Sequence, residues 1–528
     1  MKKLAFASAV ILAAALAHAE VREADVTGGR VSGVAVNGIV AFKGIPFAAP
    51  PFGELRWKAP QPVKSWSGVK DASKWGPACM QDAMFPQLFG APMTQLSEDC
   101  LYLNVWTPAK AAGDRLPVMV WIYGGGFVGG QTSVPLYDGT KLAEKGVVLV
   151  SVAYRLGAFG FLAHPELSKE TGKGSGNYGL QDQIAGLRWV KANIAKFGGD
   201  PDRVTIFGES AGGMSVSMLA ASPGAKGLFQ RAISESGGNF GGPKYKATDG
   251  GVTSPPLSVA EASGQKFLEK LGVKDIAAAR ALPADAIQKA VGPGLQASFW
   301  PVFDGNVLPG DQYELYQAKK FNDTPVLIGT NSDEGALFIQ APATPAQFEQ
   351  FTKVGFASQS DAILAAYPHG TDAEAFKAMK DVMRESTFAW HTWAWAMLQS
   401  DKGKGKAFVY YFDHRTPQSP NGSNHGSEIA YVFRTLSSGG PLFGVPNPPR
   451  PEDVKMSDLM SSYWTSFAKT GDPNGPGLPP WPVFSSNDQR VMYFDDAQPG
   501  ARPVPNLTQI KALDGYYAWR RKNAQATP

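Results

Sequence analysis

The sequence predicts an α/β protein built on a mostly parallel sheet that helices cover on both faces. The first observation is a series of continuous apolar runs that end in glycine or polar residues: LPVMVWIYGG, GVVLVSVAYR, VTIF, FQRAISESGG and TPVLIGTNSDEG. The second is helical periodicity between them, clearest in LQDQIAGLRWVKANIAKF, residues 180–197. Uninterrupted apolar strands that alternate with helices belong to sheets buried on both faces. Because the chemistry of such sheets gathers at the carboxyl ends of the strands, we expect the functional residues in these glycine-rich and polar endings.

The N-terminus is typical of a bacterial secretory signal peptide. It reads MKKLAFASAVILAAALAHA, with two lysines, a short apolar run and the small residues Ala17 and Ala19 at its end. We expect residues 1–19 to be removed by cleavage after Ala19, and the mature protein to be periplasmic or secreted. The apolar run is too short to span a bilayer and no other stretch of about 18 apolar residues follows, so we expect no membrane anchor. Because no clean linker interrupts residues 20–528, we expect a single domain there.

Composition and charge indicate an ordinary globular protein. Of the 528 residues, 44% are hydrophobic and 18% are charged. The formal net charge of +4 includes Lys2 and Lys3, which leaves +2 on the mature chain. That charge is too small to favour nucleic acid or an anionic membrane surface as a partner. We therefore expect no nucleic acid partner. We also expect a monomer or a weak homodimer.

Two cysteines, Cys79 and Cys100, enclose a loop rich in proline, glycine and aromatic residues, residues 80–99. In an exported protein they are expected to form a disulfide, which contributes about 3 kcal/mol in the chain-entropy model. Two free buried thiols are the alternative.

Ser210 lies where a strand-like run meets a helix-like run, in VTIFGESAGGMS. The five residues from Gly208 to Gly212 match G-x-S-x-G, the sequence of a nucleophile elbow, in which a tight turn lifts the serine hydroxyl out of the sheet edge. The helix that follows aims its N-terminal N–H groups at the same point. A serine that only caps a helix is the alternative. The context favours Ser210 as a nucleophile.

A serine hydroxyl needs a base, and histidine titrates in the required range. With an elbow of this kind, the acid and then the histidine follow the serine along the chain. His369 in YPHGTD and His425 in NGSNHGSE both lie in turn-rich loops. His391 in FAWHTWAWAM lies on an aromatic helical stripe, which indicates a core or pocket-wall position. The residues favour His425 over His369 by a small margin.

The acid and the oxyanion donors also have candidates. VLIGTNSDEG offers Asp333 and Glu334, between which spacing does not choose, and PVFDG offers Asp304, which is also an ordinary turn residue. The oxyanion of an acyl-transfer transition state needs hydrogen-bond donors. The glycines at 124–126, after the run VMVWIY, provide three N–H groups that a substrate carbonyl can approach closely.

With these residues in view, the sequence resembles a known family, the type-B carboxylesterases, which include the cholinesterases and have the α/β-hydrolase fold. The resemblance covers nearly the whole mature chain. Its landmarks are FKGIPFA, SEDCLYLNVWTP, WIYGGGF, YRLGAFGFL, NYGLQDQ, FGGDP, GESAGG, DEG and NHGSE. It implies a central, mostly parallel twisted sheet with flanking helices and large loop insertions that form a gorge. It also implies serine-dependent hydrolysis of carboxylic esters, with a small-molecule ester as the substrate and no metal or organic cofactor.

The family's motifs carry residue roles onto this sequence. GESAGG makes Ser210 the nucleophile, DEG makes Glu334 the triad acid, and HG-x-E makes His425 the base. The resemblance also implies oxyanion donors, supporting side chains behind the triad, structural ion pairs and a disulfide: Gly125, Gly126 and Ala211 as donors; Ser236, near the acid, and Glu209 as supports; Arg56–Glu98 and Arg155–Asp182 as pairs; and Cys79–Cys100.

The expected substrate pocket differs from that of a cholinesterase. Cholinesterases hold a quaternary ammonium group against a tryptophan in the disulfide loop, whereas the aromatic residues of positions 80–99 are Phe85 and Phe89. Ahead of FWPVFDG, Leu295 and Ala297 replace the bulky aromatics of the cholinesterase acyl pocket, which indicates a roomier pocket for acyl groups of moderate size. Phe127 and His391 complete the expected wall.

Two alternatives stay open. The same triad serves amides, lactones and aryl esters, so the residues do not choose the bond. The second alternative is a non-catalytic binding protein of the same fold. Some binding proteins with this fold have lost the serine, whereas this chain keeps it.

Overall fold

The computed structural model describes residues 20–83, 90, 95–292, 299–438, 443–496 and 498–523. Its strands are β1 (Glu23–Val26), β2 (Gly29–Ser32), β3 (Val34–Val36), β4 (Ile39–Pro46), β5 (Val69–Asp71), β6 (Ala78–Cys79), β7 (Leu96–Ser97), β8 (Tyr102–Thr107), β9 (Leu116–Ile122), β10 (Val148–Val152), β11 (Gly199–Glu209), β12 (Arg231–Glu235), β13 (Val326–Asn331), β14 (Ala407–Asp413), β15 (Arg490–Asp495) and β16 (Gly500–Pro503).

The α-helices lie between the strands along the chain and after the last of them. They are α1 (Thr140–Ala143), α2 (Gly157–Phe161), α3 (Pro165–Thr171), α4 (Tyr178–Asn193), α5 (Ala211–Ala221), α6 (Leu257–Leu271), α7 (Ile276–Ala281), α8 (Ala284–Val291), α9 (Gln312–Gln317), α10 (Pro345–Phe356), α11 (Ser360–Ala366), α12 (Asp372–Arg384), α13 (Trp390–Lys402), α14 (Ser427–Phe433), α15 (Pro451–Thr470) and α16 (Leu507–Asn523).

Within the described residues, eleven strands form one large sheet in the order β16-β15-β14-β13-β12-β11-β9-β10-β8-β4-β3. The strands from β10 to β15 pair in parallel, and the outer pairs are antiparallel. Helices flank this sheet, with α5 packed on β11 and β12 and α15 packed on β9 and β11. The predicted mostly parallel sheet is therefore confirmed.

The apolar runs became strands for the expected reason, which is burial on both faces. Every residue of β10 and of β13 is buried, and so is β9 after its first residue. At the centre, the Trp121 ring lies 4.8 Å from the ring of Phe207 and 4.9 Å from that of Phe433. The helix predicted near residues 180–197 is α4, which begins at Tyr178 and gives way to a 3₁₀ turn after Asn193.

One disulfide and two ion pairs link separate segments of the chain. Cys79 and Cys100 are joined by a disulfide, so the alternative of two free thiols is wrong. Beside it, Arg56 and Glu98 form an ion pair with 2.6 Å between nitrogen and oxygen. The pair of Arg155 and Asp182, at 2.8 Å, is almost completely buried. Both ion pairs implied by the resemblance are present.

The expected leader, residues 1–19, lies outside the described residues. Among the helices of the described part, none combines the length and the hydropathy that crossing a bilayer requires.

Candidate active site

Ser210 occupies a strained turn between β11 and α5. Its backbone has φ 56° and ψ −123°, which is an unusual conformation for a residue with a side chain. Flanking glycines let this turn lie close to β9, since a Cβ would come 2.5 Å from the carbonyl oxygen of Ile122 at Gly208 and 2.0 Å from it at Gly212. The Ser210 N–H donates to the carbonyl of Glu235 on β12 at 2.9 Å. This turn has the strand–turn–helix form of a nucleophile elbow.

His425 is held against Glu334 in the loop region beyond the same sheet edge. The distance from His425 Nδ1 to Glu334 Oε2 is 2.5 Å. The second oxygen of the completely buried Glu334 accepts from the Ser236 hydroxyl at 2.6 Å and from the Asn331 N–H at 2.7 Å. Both oxygens of this carboxylate are therefore fixed, and they fix the imidazole in turn.

The other imidazole nitrogen faces the elbow. His425 Nε2 lies 3.1 Å from Oε1 of Glu209, the residue directly before Ser210. This oxygen makes no hydrogen bond to the described residues, so its contact with the imidazole is electrostatic. The Phe388 ring covers the face of the imidazole at 4.6 Å between centroids, and the Phe338 ring lies 5.2 Å away.

Opposite charges and burial set the protonation of this group of side chains. Burial lowers the pKa of His425, but the carboxylates of Glu209 and Glu334 outweigh it and raise that pKa to about 9. Burial raises the pKa of Glu209 to about 7, against the influence of His425. The imidazole is thus a stronger base than free histidine.

A glycine loop after β9 touches the elbow. A Cβ on Gly124 would lie 2.9 Å from Glu209 Oε2 and 3.0 Å from Ser210 Cβ. Gly125 and Gly126 have φ values of 102° and 61°, which glycine tolerates best. The backbone hydrogen bonds between described loop residues do not use the N–H groups of Gly125, Gly126 or Ala211. Three donors are therefore free to bind an anionic oxygen beside Ser210.

The comparisons with known proteins agree with this geometry. A model of the carboxylesterase family matches residues 19–510. The chain belongs to this family. It is 37% identical over 478 residues to fumonisin B1 esterase of Sphingopyxis macrogoltabida, which covers 86% of this chain and 83% of that protein. It is also 37% identical over 461 residues to para-nitrobenzyl esterase of Bacillus subtilis, a match that covers 86% of this chain and 91% of that protein.

A solved structure of a PNB esterase superposes with a TM-score of 0.81 at 33% identity, covering 93% of this chain and 99% of that one. The resemblance to type-B carboxylesterases is confirmed, and so is the α/β-hydrolase fold. The protein is a carboxylic-ester hydrolase.

The other candidate side chains of this carboxylesterase are engaged elsewhere. Asp333 forms an ion pair with Lys380 at 3.1 Å. The Asp304 carboxylate accepts from backbone N–H groups of its own turn, at 2.9 and 3.0 Å. The His369 ring bonds to the carbonyl of Tyr367 at 2.6 Å. Of these alternatives, the structure brings only Glu334 and His425 together at the elbow.

Of the predicted pocket residues, two lie in the described part of the chain. The Phe127 side chain is completely buried between the rings of Phe161 and Trp300, at 5.2 and 4.8 Å, directly after the glycine loop. His391 is also completely buried, and its Nδ1 accepts from the Phe240 N–H at 2.9 Å. A pocket role for His391 stays a prediction. The remaining members of the expected pocket lie outside the described residues: Phe85, Phe89, Leu295 and Ala297.

Two further buried carboxyl groups were missed in the sequence. Glu235 lies opposite Glu209 in the β11–β12 register, and the indole N–H of Trp464 donates to it at 2.7 Å. Glu428 accepts from the Asn331 side-chain amide and lies 3.5 Å from the Tyr410 hydroxyl. Burial raises the pKa of Glu235 to about 8, and it raises the pKa of Glu428 well above its ordinary value. In the sequence, these two carboxyl groups are the glutamates of SESGG and NHGSE, and neither motif indicates what its glutamate does.

Proposed function

We propose that this carboxylesterase works by two acyl-transfer steps, with Ser210 as nucleophile, His425 as general base and acid, and Glu334 as the carboxylate that orients the imidazole. The observation that carries the proposal is the 2.5 Å contact between His425 Nδ1 and Glu334 Oε2, which leaves Nε2 on the side of the elbow. The Ser210 hydroxyl does not cap the first turn of α5, which leaves it for the reaction. The hydrogen bond between a catalytic serine and its base commonly tightens when substrate binds.

In the first step, Ser210 Oγ attacks the ester carbonyl carbon while its proton passes to His425 Nε2. The N–H groups of Gly125, Gly126 and Ala211 stabilise the resulting oxyanion, with roughly 3 kcal/mol typical for one such donor. The tetrahedral intermediate collapses, and His425 gives its proton to the leaving alcohol. Glu334 keeps the imidazole in the tautomer that carries its proton on Nδ1 and stabilises the charged ring.

In the second step, water replaces the alcohol. His425 removes a proton from water, which attacks the acyl carbon bound to Ser210. The second oxyanion uses the same donors. When it collapses, the bond from the acyl carbon to Ser210 Oγ breaks, the carboxylic acid leaves, and His425 returns its proton to Ser210 Oγ. Ser236 supports both steps because its hydroxyl holds the second oxygen of Glu334 at 2.6 Å.

We extend the proposal to broad specificity for esters with acyl groups of moderate size. The support is that relatives at equal identity, 37%, are named for chemically different esters, para-nitrobenzyl esters and fumonisin B1. Amide, lactone or aryl-ester hydrolysis by the same side chains remains the alternative chemistry. A substrate series that includes these bonds separates the possibilities.

The mature chain, residues 20–528, is proposed to be an exported single domain, monomeric or weakly dimeric, without a nucleic acid partner. The disulfide between Cys79 and Cys100 supports export, because such bonds persist in oxidising compartments. N-terminal sequencing of the protein recovered outside the cytoplasm is expected to begin at Glu20. A chain that keeps residues 1–19 and stays in the cytoplasm would contradict export.

The mechanism is tested with Ser210→Ala on p-nitrophenyl esters from acetate to decanoate. If the three side chains act as a unit, kcat falls by about 10⁴-fold or more. Ser217→Ala is the matched control, because Ser217 lies on the same helix and its hydroxyl donates to the Met214 carbonyl at 2.8 Å. Wild-type turnover in Ser210→Ala would refute the mechanism, and the preferred chain length of the wild type sizes the acyl pocket.

A further inference from the structure

A single widened turn interrupts the long helix beside the candidate active site. Residues Glu385–Ala389 form a π-helix between α12 and α13, and the backbone stays helical on both sides. A π-turn contains more residues than an α-turn, which changes the direction in which its side chains point. Such turns occur frequently at functional sites.

Contacts from outside the helix hold this turn in place. The Tyr517 hydroxyl, on α16, donates to the carbonyl of Ser386 at 2.7 Å. The carboxylate of Glu385 accepts from the Asn506 side chain at 2.9 Å and from the Tyr367 hydroxyl at 3.2 Å. Glu385 is completely buried. The turn is thus clamped by several elements rather than left as a local irregularity.

The clamped turn directs Phe388 onto His425. The two rings are 4.6 Å apart with an interplanar angle of 25°, which is a stacked arrangement, and Phe388 is 2% exposed. The Phe338 ring approaches the same imidazole at 5.2 Å and 56°, so it is tilted rather than stacked. With Glu334 at Nδ1 and Glu209 near Nε2, Phe388 supplies the contact over the imidazole face.

We propose that Phe388 is a positioning residue for the base His425, a role that rests on the mechanism proposed above. The flat contact prevents the imidazole from tilting away from Ser210 and excludes water from its face. The negative face of the phenyl ring also attracts the imidazolium that forms when His425 holds the serine proton. Phe388 thus acts in the charged state, beyond filling space.

Several titratable groups surround His425 and set the background for this effect. Glu334 and Glu209 face its two nitrogens, and Glu235 and Glu428 lie behind Glu209 on β12 and α14. The carboxylates already raise the pKa of His425. Phe388 raises it further through its aromatic face, whereas an aliphatic side chain of similar bulk keeps water away without that attraction.

The test is Phe388→Leu, compared with Phe376→Leu as a matched control. Phe376 lies on α12, the α-helical segment before the π-turn, and its ring is near Lys380. In Phe388→Leu we expect kcat to fall roughly tenfold with KM within about twofold, and the acid limb of the kcat/KM profile to move down by about half to one pH unit. Phe376→Leu is expected to keep the wild-type profile. An unmoved acid limb in a folded Phe388→Leu protein overturns the proposal, even if kcat falls.

A second measurement does not depend on activity. In Ser210→Ala with ¹³C-labelled histidine, the ring signals of His425 are assigned by their loss in His425→Gln. Stacking predicts upfield ring-current shifts for them, and Phe388→Leu is expected to remove these shifts and to lower the titration midpoint. If the His425 signals of the protein that keeps Phe388 lie at ordinary positions, the proposal is overturned. This outcome can be read even if Phe388→Leu fails to fold. If Ser210→Ala keeps esterase turnover, it is instead the proposed mechanism that fails.

Discussion

Replacing Glu209 by glutamine isolates the charge that faces the imidazole of His425. The substitution keeps the shape of the side chain and removes the carboxylate 3.1 Å from Nε2. A carboxylate favours the charged imidazolium, so its loss lowers the pKa of His425. Because the base accepts a proton only when it is uncharged, the acid limb of the kcat/KM profile is expected to move to lower pH.

The distance sets the size of this effect. For unit charges at 3.1 Å, Coulomb's law with an effective dielectric constant of about 20 gives about 5 kcal/mol, or roughly 4 pKa units. Glu209, whose pKa burial raises to about 7, is charged near pH 9, where His425 titrates. The Coulomb figure is an upper limit, because relaxation of the site screens the charge and the glutamine amide keeps a dipole at the same place. We expect the acid limb of Glu209→Gln to lie about one to two pH units below that of the wild type.

The assay measures kcat/KM for p-nitrophenyl butyrate from about pH 5 to about pH 10, in a series of buffers at constant ionic strength. Glu235→Gln is the matched control, since this carboxyl is also buried and lies next to Glu209 but accepts a hydrogen bond from Trp464 instead of contacting His425. Its acid limb is expected to stay near that of the wild type. An acid limb of Glu209→Gln that stays in place or moves to higher pH would refute the electrostatic argument.

Three further outcomes follow from buried contacts. Asp182→Asn leaves the Arg155 guanidinium without the carboxylate 2.8 Å away, so urea unfolding is expected to show a loss of about 3–5 kcal/mol. An unchanged midpoint would contradict this. Gly212→Ala places a Cβ 2.0 Å from the Ile122 carbonyl oxygen, and the shifted elbow is expected to lose roughly 100-fold in kcat while the far-UV spectrum is retained. Burial lowers the pKa of His391 to about 3, so stability is expected to fall as the pH drops from about 6.5 towards 3, because the unfolded chain binds the proton first. In acid titrations, the free energy of unfolding of His391→Gln is expected to fall less steeply than that of the wild type. An equal slope in the two proteins would refute this expectation.

The sheet was predictable because its strands are buried on both faces. Burial leaves continuous apolar runs in the sequence, and β9, β10 and β13 formed where such runs occur. The pattern did not show that β11 begins at Gly199, since residues 199–203 are mostly polar or glycine. That extension depends on pairing of Gly199 with Leu116, across a register irregularity, and a local pattern does not contain such a pairing.

The site was only partly predictable from the residues. The glycines around Ser210 report the close approach of the elbow to β9, so the local sequence contains the signal. The choice between Asp333 and Glu334 depends on Lys380, which lies 47 residues later in the chain and pairs with Asp333. The motif resemblance made that choice where spacing did not.

Phe388 was missed for a related reason. Its stretch reads as an ordinary aromatic helix, and a one-residue widening of a helical turn leaves no periodic signature over so short a length. Two of the contacts that hold the turn come from residues more than a hundred positions away, Tyr517 and Asn506. Only the assembled chain makes the position of that ring visible.

Helix α16 links the π-turn to a distant loop of the chain. Tyr517 clamps the π-turn, and Arg520 donates to the carbonyls of Pro243 and Gly250 at 3.0 and 2.8 Å. One helix therefore holds both the turn that carries Phe388 and the segment between residues 243 and 250. Loosening α16 is expected to disturb the imidazole of His425 without altering any group that reacts with the ester.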